Sequence, residues 1–184
     1  MRVITGTAKG IRLKTLEGLD VRPTTDRVKE GMFSSIQFEI SGSDVLDLFA
    51  GSGQLGIEAL SRGARQAVFV DQSAQSLSVV KENLKKTGFT DKAVVFQRDA
   101  EQYLRYCPDK AFDFIFLDPP YRKEILMKLL PDLTRILKEN GKIICEHEKE
   151  LELPEKISNL RLKKEYIYGK IVVSVFTFTE EGSE

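Results

Sequence analysis

From residue 44 onward, short apolar runs alternate with segments whose apolar residues recur at helical spacing, the pattern of a mostly parallel sheet covered by helices. Val45-Leu46-Asp47-Leu48 reads as a first strand, followed by a glycine-rich loop and a helix through Ile57, Leu60 and Ser61. Ala67 to Asp71 forms a second strand. Ser73 is placed to cap the next helix, whose Leu77, Val80 and Leu84 share one face before Gly88 stops it. The third strand is Ala93 to Gln97 and the fourth Phe112 to Leu117. Leu126, Leu129, Leu130, Leu133 and Leu137 mark a further helix, kinked or divided at Pro131 and ended at Gly141. Lys142 to Glu146 is the fifth strand. Two β-rich runs, 160–168 and 170–178, are separated only by Gly169 and predict an antiparallel hairpin that completes the sheet edge.

The first 40 residues stand apart. A glycine-punctuated, strand-like stretch covers 2–14, and Arg22-Pro23-Thr24-Thr25 leads into a helix bearing Val28, Met32, Phe33 and Ile36. The pattern divides the chain into a small N-terminal β-hairpin and helix extension, 1–40, and an α/β domain, 41–180. Residues 180–184 are expected to fray.

A length of 184 residues fits one sizeable core with such an appendage. The formal charge is zero, so any affinity for nucleic acid has to come from a local patch. Residues 1–29 are the best place for one: Arg2, Lys9, Arg12, Lys14, Arg22, Arg27 and Lys29 outnumber Glu17, Asp20 and Asp26. The same charges also suit an ordinary solvated face. No apolar stretch reaches the roughly 18 to 20 residues of a membrane span, and the start lacks the apolar core of a secretory signal. A cytoplasmic protein is expected. Cys107 and Cys145 have neither metal-ligand nor redox spacing, and the lone His147 cannot build a metal site by itself. No metal is expected.

Gly51-Ser52-Gly53-Gln54-Leu55-Gly56 matches G-x-G-x-x-G between a strand and a helix, with Asp71 ending the following strand. That context suits a nucleotide cofactor whose ribose hydroxyls the second-strand acid holds. Asp47, just before the glycines, helps to choose among such cofactors. A carboxylate there repels an anionic pyrophosphate and attracts the ammonium of S-adenosylmethionine, though it also suits a loop-bracing acid. Asp99, next to Ala100, can accept from an adenine amino group, or simply cap a helix.

Asp118-Pro119-Pro120-Tyr121 closes the fourth strand with a carboxylate, rigid carbonyls and an aromatic face. An exocyclic base nitrogen has its lone pair delocalised into the ring. A site that methylates it must stack the flipped base and accept hydrogen bonds from its amino group. The competing reading is an acidic turn. Asp47, Asp71, Asp99 and Asp118 all stand at carboxyl ends of strands, where ligands of open α/β sheets bind.

With these residues in hand, the chain resembles the Rossmann-like class I S-adenosylmethionine-dependent methyltransferases. More narrowly it resembles the bacterial 16S rRNA guanine-N2 methyltransferase family called RsmD. The resemblance runs from about Arg2 to Phe178. It rests on Arg2-Val3-Ile4 with Lys9-Gly10, on Arg22-Pro23-Thr24 with Asp26-Arg27-Val28, and on the run from Val45 to Gly53. The segment Glu58 to Ala64 and the tetrapeptide at Asp118 complete it.

The resemblance implies methyl transfer to a guanine N2 of 16S rRNA in the small ribosomal subunit or its assembly intermediate; a monomer is expected. It implies Asp118, Pro119, Pro120 and Tyr121 as the catalytic group. Asp47, Phe49, Gly51, Gly53, Asp71, Asp99 and Ala100 would hold the cofactor, and Arg2, Lys9, Arg12, Lys14, Arg22 and Arg27 the RNA. The chain departs from the family where Glu30-Gly31-Met32-Phe33-Ser34 replaces Glu-Ala-Leu-Phe-Asn. Three other readings remain: an NAD-dependent oxidoreductase, a DNA or other RNA amino-methyltransferase, and a non-catalytic RNA-binding scaffold.

Overall fold

A computed structural model describes residues 1–16, 25–119 and 123–179. The chain runs through α1 (Asp26–Ser34), β1 (Asp44–Asp47), α2 (Gln54–Ser61), β2 (Gln66–Asp71), α3 (Ala74–Thr87), β3 (Ala93–Gln97) and α4 (Ala100–Tyr106). It continues through β4 (Phe112–Leu117), α5 (Lys123–Ile136), β5 (Leu137–Glu148), β6 (Lys156–Ile157), β7 (Leu160–Tyr168) and β8 (Ile171–Phe178).

Among the described residues the strands form one sheet in the order β3-β2-β1-β4-β5-β8-β7-β6. The pairs from β3 across to β5 are parallel, whereas β8 pairs with β5, and β7 with β8, in antiparallel fashion. The expected α/β sheet with a C-terminal hairpin is what forms. The chain leaves β1 toward β2 and β3, then returns to β1's other side with β4. That reversal of strand order opens a crevice at the carboxyl ends of β1 and β4.

Side chains alternate across the sheet with period two. Val45, Phe69, Phe114, Phe116 and Ile144 face a core built with α1, α2 and α3. Leu46, Val70, Ile115, Leu117 and Ile143 face a second core built with α4 and α5. Continuing that alternation past the strand ends sends Asp47, Asp71, Asp118 and Glu146 to the first side.

Val3, Ala8 and Leu13 are buried in the same core as Val28, Met32 and Phe33 of α1. An antiparallel bridge joins Arg2 to Arg12, and the backbone of Val3 exchanges hydrogen bonds with Gly10 and Ile11. Glu58 of α2 fastens this hairpin: its carboxylate accepts from the backbone N–H of Ile4 at 2.8 Å and of Thr5 at 3.0 Å. Lys29 of α1 and Arg62 complete the cluster, at 3.4 and 2.8 Å from Glu58. The Lys29 ammonium also donates to the carbonyl of Arg2 at 2.6 Å. The side chains of Lys29 and Glu58 are fully buried. Burial pushes the Lys29 pKa below its ordinary value, and Glu58 holds it up against that effect. Removing one partner leaves the other charge buried alone, so Glu58→Ala is expected to cost about 3 to 5 kcal/mol in chemical denaturation. The amides of Ile4 and Thr5 should lose hydrogen-exchange protection at the same time.

Local chemistry sets the helix ends. Thr25 and Ser73 cap α1 and α3 with their hydroxyls, and Gly88 ends α3 in the left-handed region at φ 77°. Ile36 lies beyond the end of α1 and is buried.

One boundary differs from expectation. Leu137 and Gly141 belong to β5, not to the preceding helix, which ends at Ile136 and runs through Pro131. Leu137 pairs with Phe112 across an irregularity in the ladder. A Cβ on Gly141 would stand 2.9 Å from the Asp113 carbonyl oxygen. The glycine therefore permits a close approach within the sheet and does not end a helix. The two-residue β6 was not foreseen from the sequence pattern, being too short to show periodicity.

Candidate active site

The glycine loop carries out the geometric tasks its sequence suggests. Gly51 and Gly53 take positive φ, 52° and 79°, which lets the chain turn sharply from β1 into α2. Gly56 lies against the sheet, where a Cβ would stand 2.3 Å from the Phe69 ring. The acids brace this loop. Asp47 Oδ2 accepts from the Gly56 N–H at 3.0 Å, and Asp71 Oδ2 accepts from the Gly51 N–H at 2.9 Å. Asp71 Oδ1 accepts from the Ser73 N–H at 2.8 Å. A carboxylate oxygen has two lone pairs, so Asp71 keeps acceptor capacity toward the crevice.

Asp47 is 1 % exposed. Burial pushes its pKa up to about 7; the Gly56 N–H opposes the rise, and the nearby charges of Asp118 and Asp71 add to it. Asp71, at the end of β2, and Asp118, just past β4, are thus near enough to Asp47 at the end of β1 for their charges to act on it. Asp118 is half-buried and Pro119 buried, immediately after β4. Pro120 and Tyr121 lie outside the described residues. Leu117 pairs with Cys145, so the next step of the register sets Asp118 beside the buried Glu146 of β5.

A family model described as "Conserved hypothetical protein 95" matches residues 1–177. Over 180 residues the chain is 44% identical to the YlbH protein of Bacillus subtilis (strain 168), covering 96% of this chain and 98% of that one. It is 34% identical over 180 residues to ribosomal RNA small subunit methyltransferase D of Buchnera aphidicola subsp. Baizongia pistaciae, covering 96% and 91%. This chain belongs to the RsmD family. Among solved structures, the yhhF protein of Escherichia coli superposes with a TM-score of 0.86 at 32% identity, covering 98% of this chain and 99% of the other. The class I methyltransferase fold follows directly.

In this RsmD-family protein the remaining sequence-derived candidates divide by what they touch. Asp99 caps α4, its Oδ1 accepting from the Glu101 and Gln102 N–H groups, so the helix-capping role is realised; Oδ2 is not used in that cap. Ala100 is buried beside it and Phe49 is half-buried after β1. Arg2 pairs with Asp26 at 3.1 Å and Lys14 with Glu82 at 2.8 Å. Lys9, Arg12 and Arg27 are exposed and form no salt bridge among the described residues. Arg22 lies outside the described residues. Arg2, Arg12, Asp26 and Met1 line a surface cavity of about 350 Å³. Met1 also approaches the glycine loop, with its Sδ 3.5 Å from Ser52 Oγ.

Two residues of the site escape a reading by motif. Glu146 is recognisable only from the sheet register. Gln54 opens α2 directly after the loop, and its buried Oε1 has no hydrogen-bond partner among the described residues. An unsatisfied buried acceptor costs free energy unless a ligand donor meets it.

Proposed function

We propose that this protein transfers a methyl group from S-adenosylmethionine to the exocyclic N2 of a specific guanine in 16S rRNA, within the small subunit or its assembly intermediate. It acts as a cytoplasmic monomer without metal, with residues 41–180 as the transferase domain and 1–40 as an RNA-gripping extension. The observation that carries this reading is the gathering of Asp47, Asp71 and Asp118 around the glycine loop at the reversal of strand order. Such a crevice suits a cationic cofactor and disfavours an anionic dinucleotide.

The residues fit that cofactor. Asp47 and the Gln54 oxygen, which has no partner among the described residues, would offer acceptors to its ammonium, and Asp71 would offer acceptors to its ribose hydroxyls. When bound, the cofactor supplies an electrophilic methyl on a sulfonium.

The protein's task is then to hold the guanine amine in line with that methyl. Transfer would form a nitrogen–carbon bond while the carbon–sulfur bond breaks and its electron pair stays on sulfur, so that the positive charge passes to the nitrogen. Asp118 and the Pro119 carbonyl stabilise that charge, and Asp118 receives the proton the amine releases. Asp118 need not be a strong base, because the amine becomes acidic as the bond forms. Tyr121 stacks the flipped base. Lys9, Arg12 and Arg27, which form no salt bridge among the described residues, would meet the phosphate backbone, while Arg2 and Lys14 must first leave a carboxylate.

Calorimetry tests the cofactor half of this reading. S-adenosylmethionine and its demethylated product should bind and NAD should not, and Asp71→Ala should weaken cofactor binding by roughly 1 to 3 kcal/mol. NAD binding as tight as the methyl donor would contradict it.

A further inference from the structure

Gly31 of α1 has a physical counterpart across the fold. A Cβ at Gly31 would stand 1.6 Å from the hydroxyl oxygen of Tyr168, so an alanine there cannot coexist with this placement of the ring. The missing methyl group makes room for Tyr168 to lie against α1. Tyr168 ends β7, and Tyr166 and Lys164 precede it at strand spacing on the same side of the sheet.

Both tyrosines pack partly on the core shared with α1 and remain half-exposed. The Lys164 ammonium rests 4.8 Å from the centre of the Tyr166 ring. Burial raises the pKa of the Tyr168 hydroxyl, Tyr166 adds to the rise, and the Arg27 guanidinium opposes it, which places Arg27 near the pair. Arg27 is exposed and follows Asp26, whose charge Arg2 already meets.

The register relates this cluster to the active site. Glu146 pairs with Val173, and Val173 with Tyr166, so Tyr166 lies in the row that Asp118 enters one residue past β4. Three strand spacings of about 4.8 Å separate them, roughly 14 Å in all. That is a reach of two or three nucleotides. Tyr168 stands two residues further toward the end of the sheet where the crevice opens. Aromatic rings with interleaved cations are the chemistry that holds single-stranded nucleic acid, with bases on the rings and phosphates on the cations.

We propose that Tyr166, Tyr168, Lys164 and Arg27 form a platform for the single-stranded RNA that flanks the target guanine. The bases stack on the tyrosines and the neighbouring phosphates meet Lys164 and Arg27. This rests on the RNA-methylating reading above and adds to it a grip on the substrate strand outside the N-terminal hairpin.

The test measures binding of the full chain to a 16S rRNA transcript and to small subunits lacking the modification, over a range of salt. Tyr166→Ala and Tyr168→Ala should each weaken binding about tenfold with the salt slope unchanged. Lys164→Ala combined with Arg27→Ala should reduce the slope of log affinity against log salt by about 1.4. Gly31→Ala should displace the Tyr168 ring and weaken RNA binding as Tyr168→Ala does, and the double variant should be no worse than Tyr168→Ala alone. Affinity for S-adenosylhomocysteine should stay within twofold throughout, which separates this grip from the cofactor site and reports intact folding. Unchanged RNA affinity in both tyrosine variants overturns the platform. A wild-type protein that binds the cofactor product but retains neither RNA overturns the RNA reading itself, and the platform with it.

Discussion

Asp118→Ala should lower methyl transfer by about a hundredfold to a thousandfold while leaving cofactor affinity within a few-fold. The carboxylate follows β4, across β1 from β2 and its Asp71. Its contribution is made as positive charge grows on the attacking nitrogen, so its loss should appear in turnover and not in cofactor binding. Tyr121→Ala should behave similarly, through loss of stacking on the target base. Near-normal turnover of Asp118→Ala on its RNA would remove Asp118 from the mechanism. A parallel loss of cofactor affinity would make it a cofactor ligand instead.

Asp47→Asn should move stability and cofactor affinity in opposite directions. With its pKa raised from 3.8 to about 7, Asp47 keeps a proton in the folded state that the unfolded chain releases. The folded state therefore binds more protons between about pH 4 and pH 7, and stability falls as pH rises through that window. Above pH 7 the buried charge costs on the order of 4 kcal/mol, since each pKa unit corresponds to about 1.4 kcal/mol. Asparagine keeps an acceptor for the Gly56 N–H without the charge. The variant should gain up to that amount at pH 8, gain little at pH 4, and lose this part of the pH dependence. It should also bind S-adenosylmethionine more weakly, because the ammonium loses its anionic partner. In the wild type, cofactor binding should weaken below pH 7 and release a proton from Asp47. Denaturation at pH 4 and pH 8, with calorimetry alongside, checks both effects; an unaltered pH slope in the variant would show that Asp47 is not the group responsible.

The strands were the most legible part of this chain, because parallel strands read as short apolar runs bounded by turn residues, the central β4 and the more exposed edge strand β3 alike. Ala93 to Gln97 and Phe112 to Leu117 occupy the bounds their sequences suggest. The glycine loop was legible for a similar reason: each glycine meets a local steric demand that other residues satisfy poorly. Leu137 misled because it continues the helical spacing of Leu126, Leu130 and Leu133, and only its pairing with Phe112 decides its state. The buried pairing of Lys29 with Glu58 leaves no mark in the sequence. On a helical pattern they look like surface charges, and only packing of the N-terminal hairpin over α1 and α2 buries them together.

Gly31 shows the same limit at one position. From sequence it is a weakened helix, by up to about 1 kcal/mol against alanine. In the fold it is the space that Tyr168 occupies. The basic surplus of residues 1–29 was visible as a count, but which charges remain available was not. Lys29 is consumed inside the core, and Arg2 and Lys14 already face acids.

Methylation of guanine N2 in small-subunit RNA can be read out nucleoside by nucleoside. Small subunits from cells lacking this protein are incubated with the purified chain and S-adenosylmethionine carrying a labelled methyl group, and the RNA is digested to nucleosides. The label should appear in N2-methylguanosine from 16S rRNA, and Asp118→Ala protein should leave the RNA unlabelled. Label in any other nucleoside, or none from a wild-type protein that binds the cofactor, would rule out guanine N2 of 16S rRNA as the methyl acceptor.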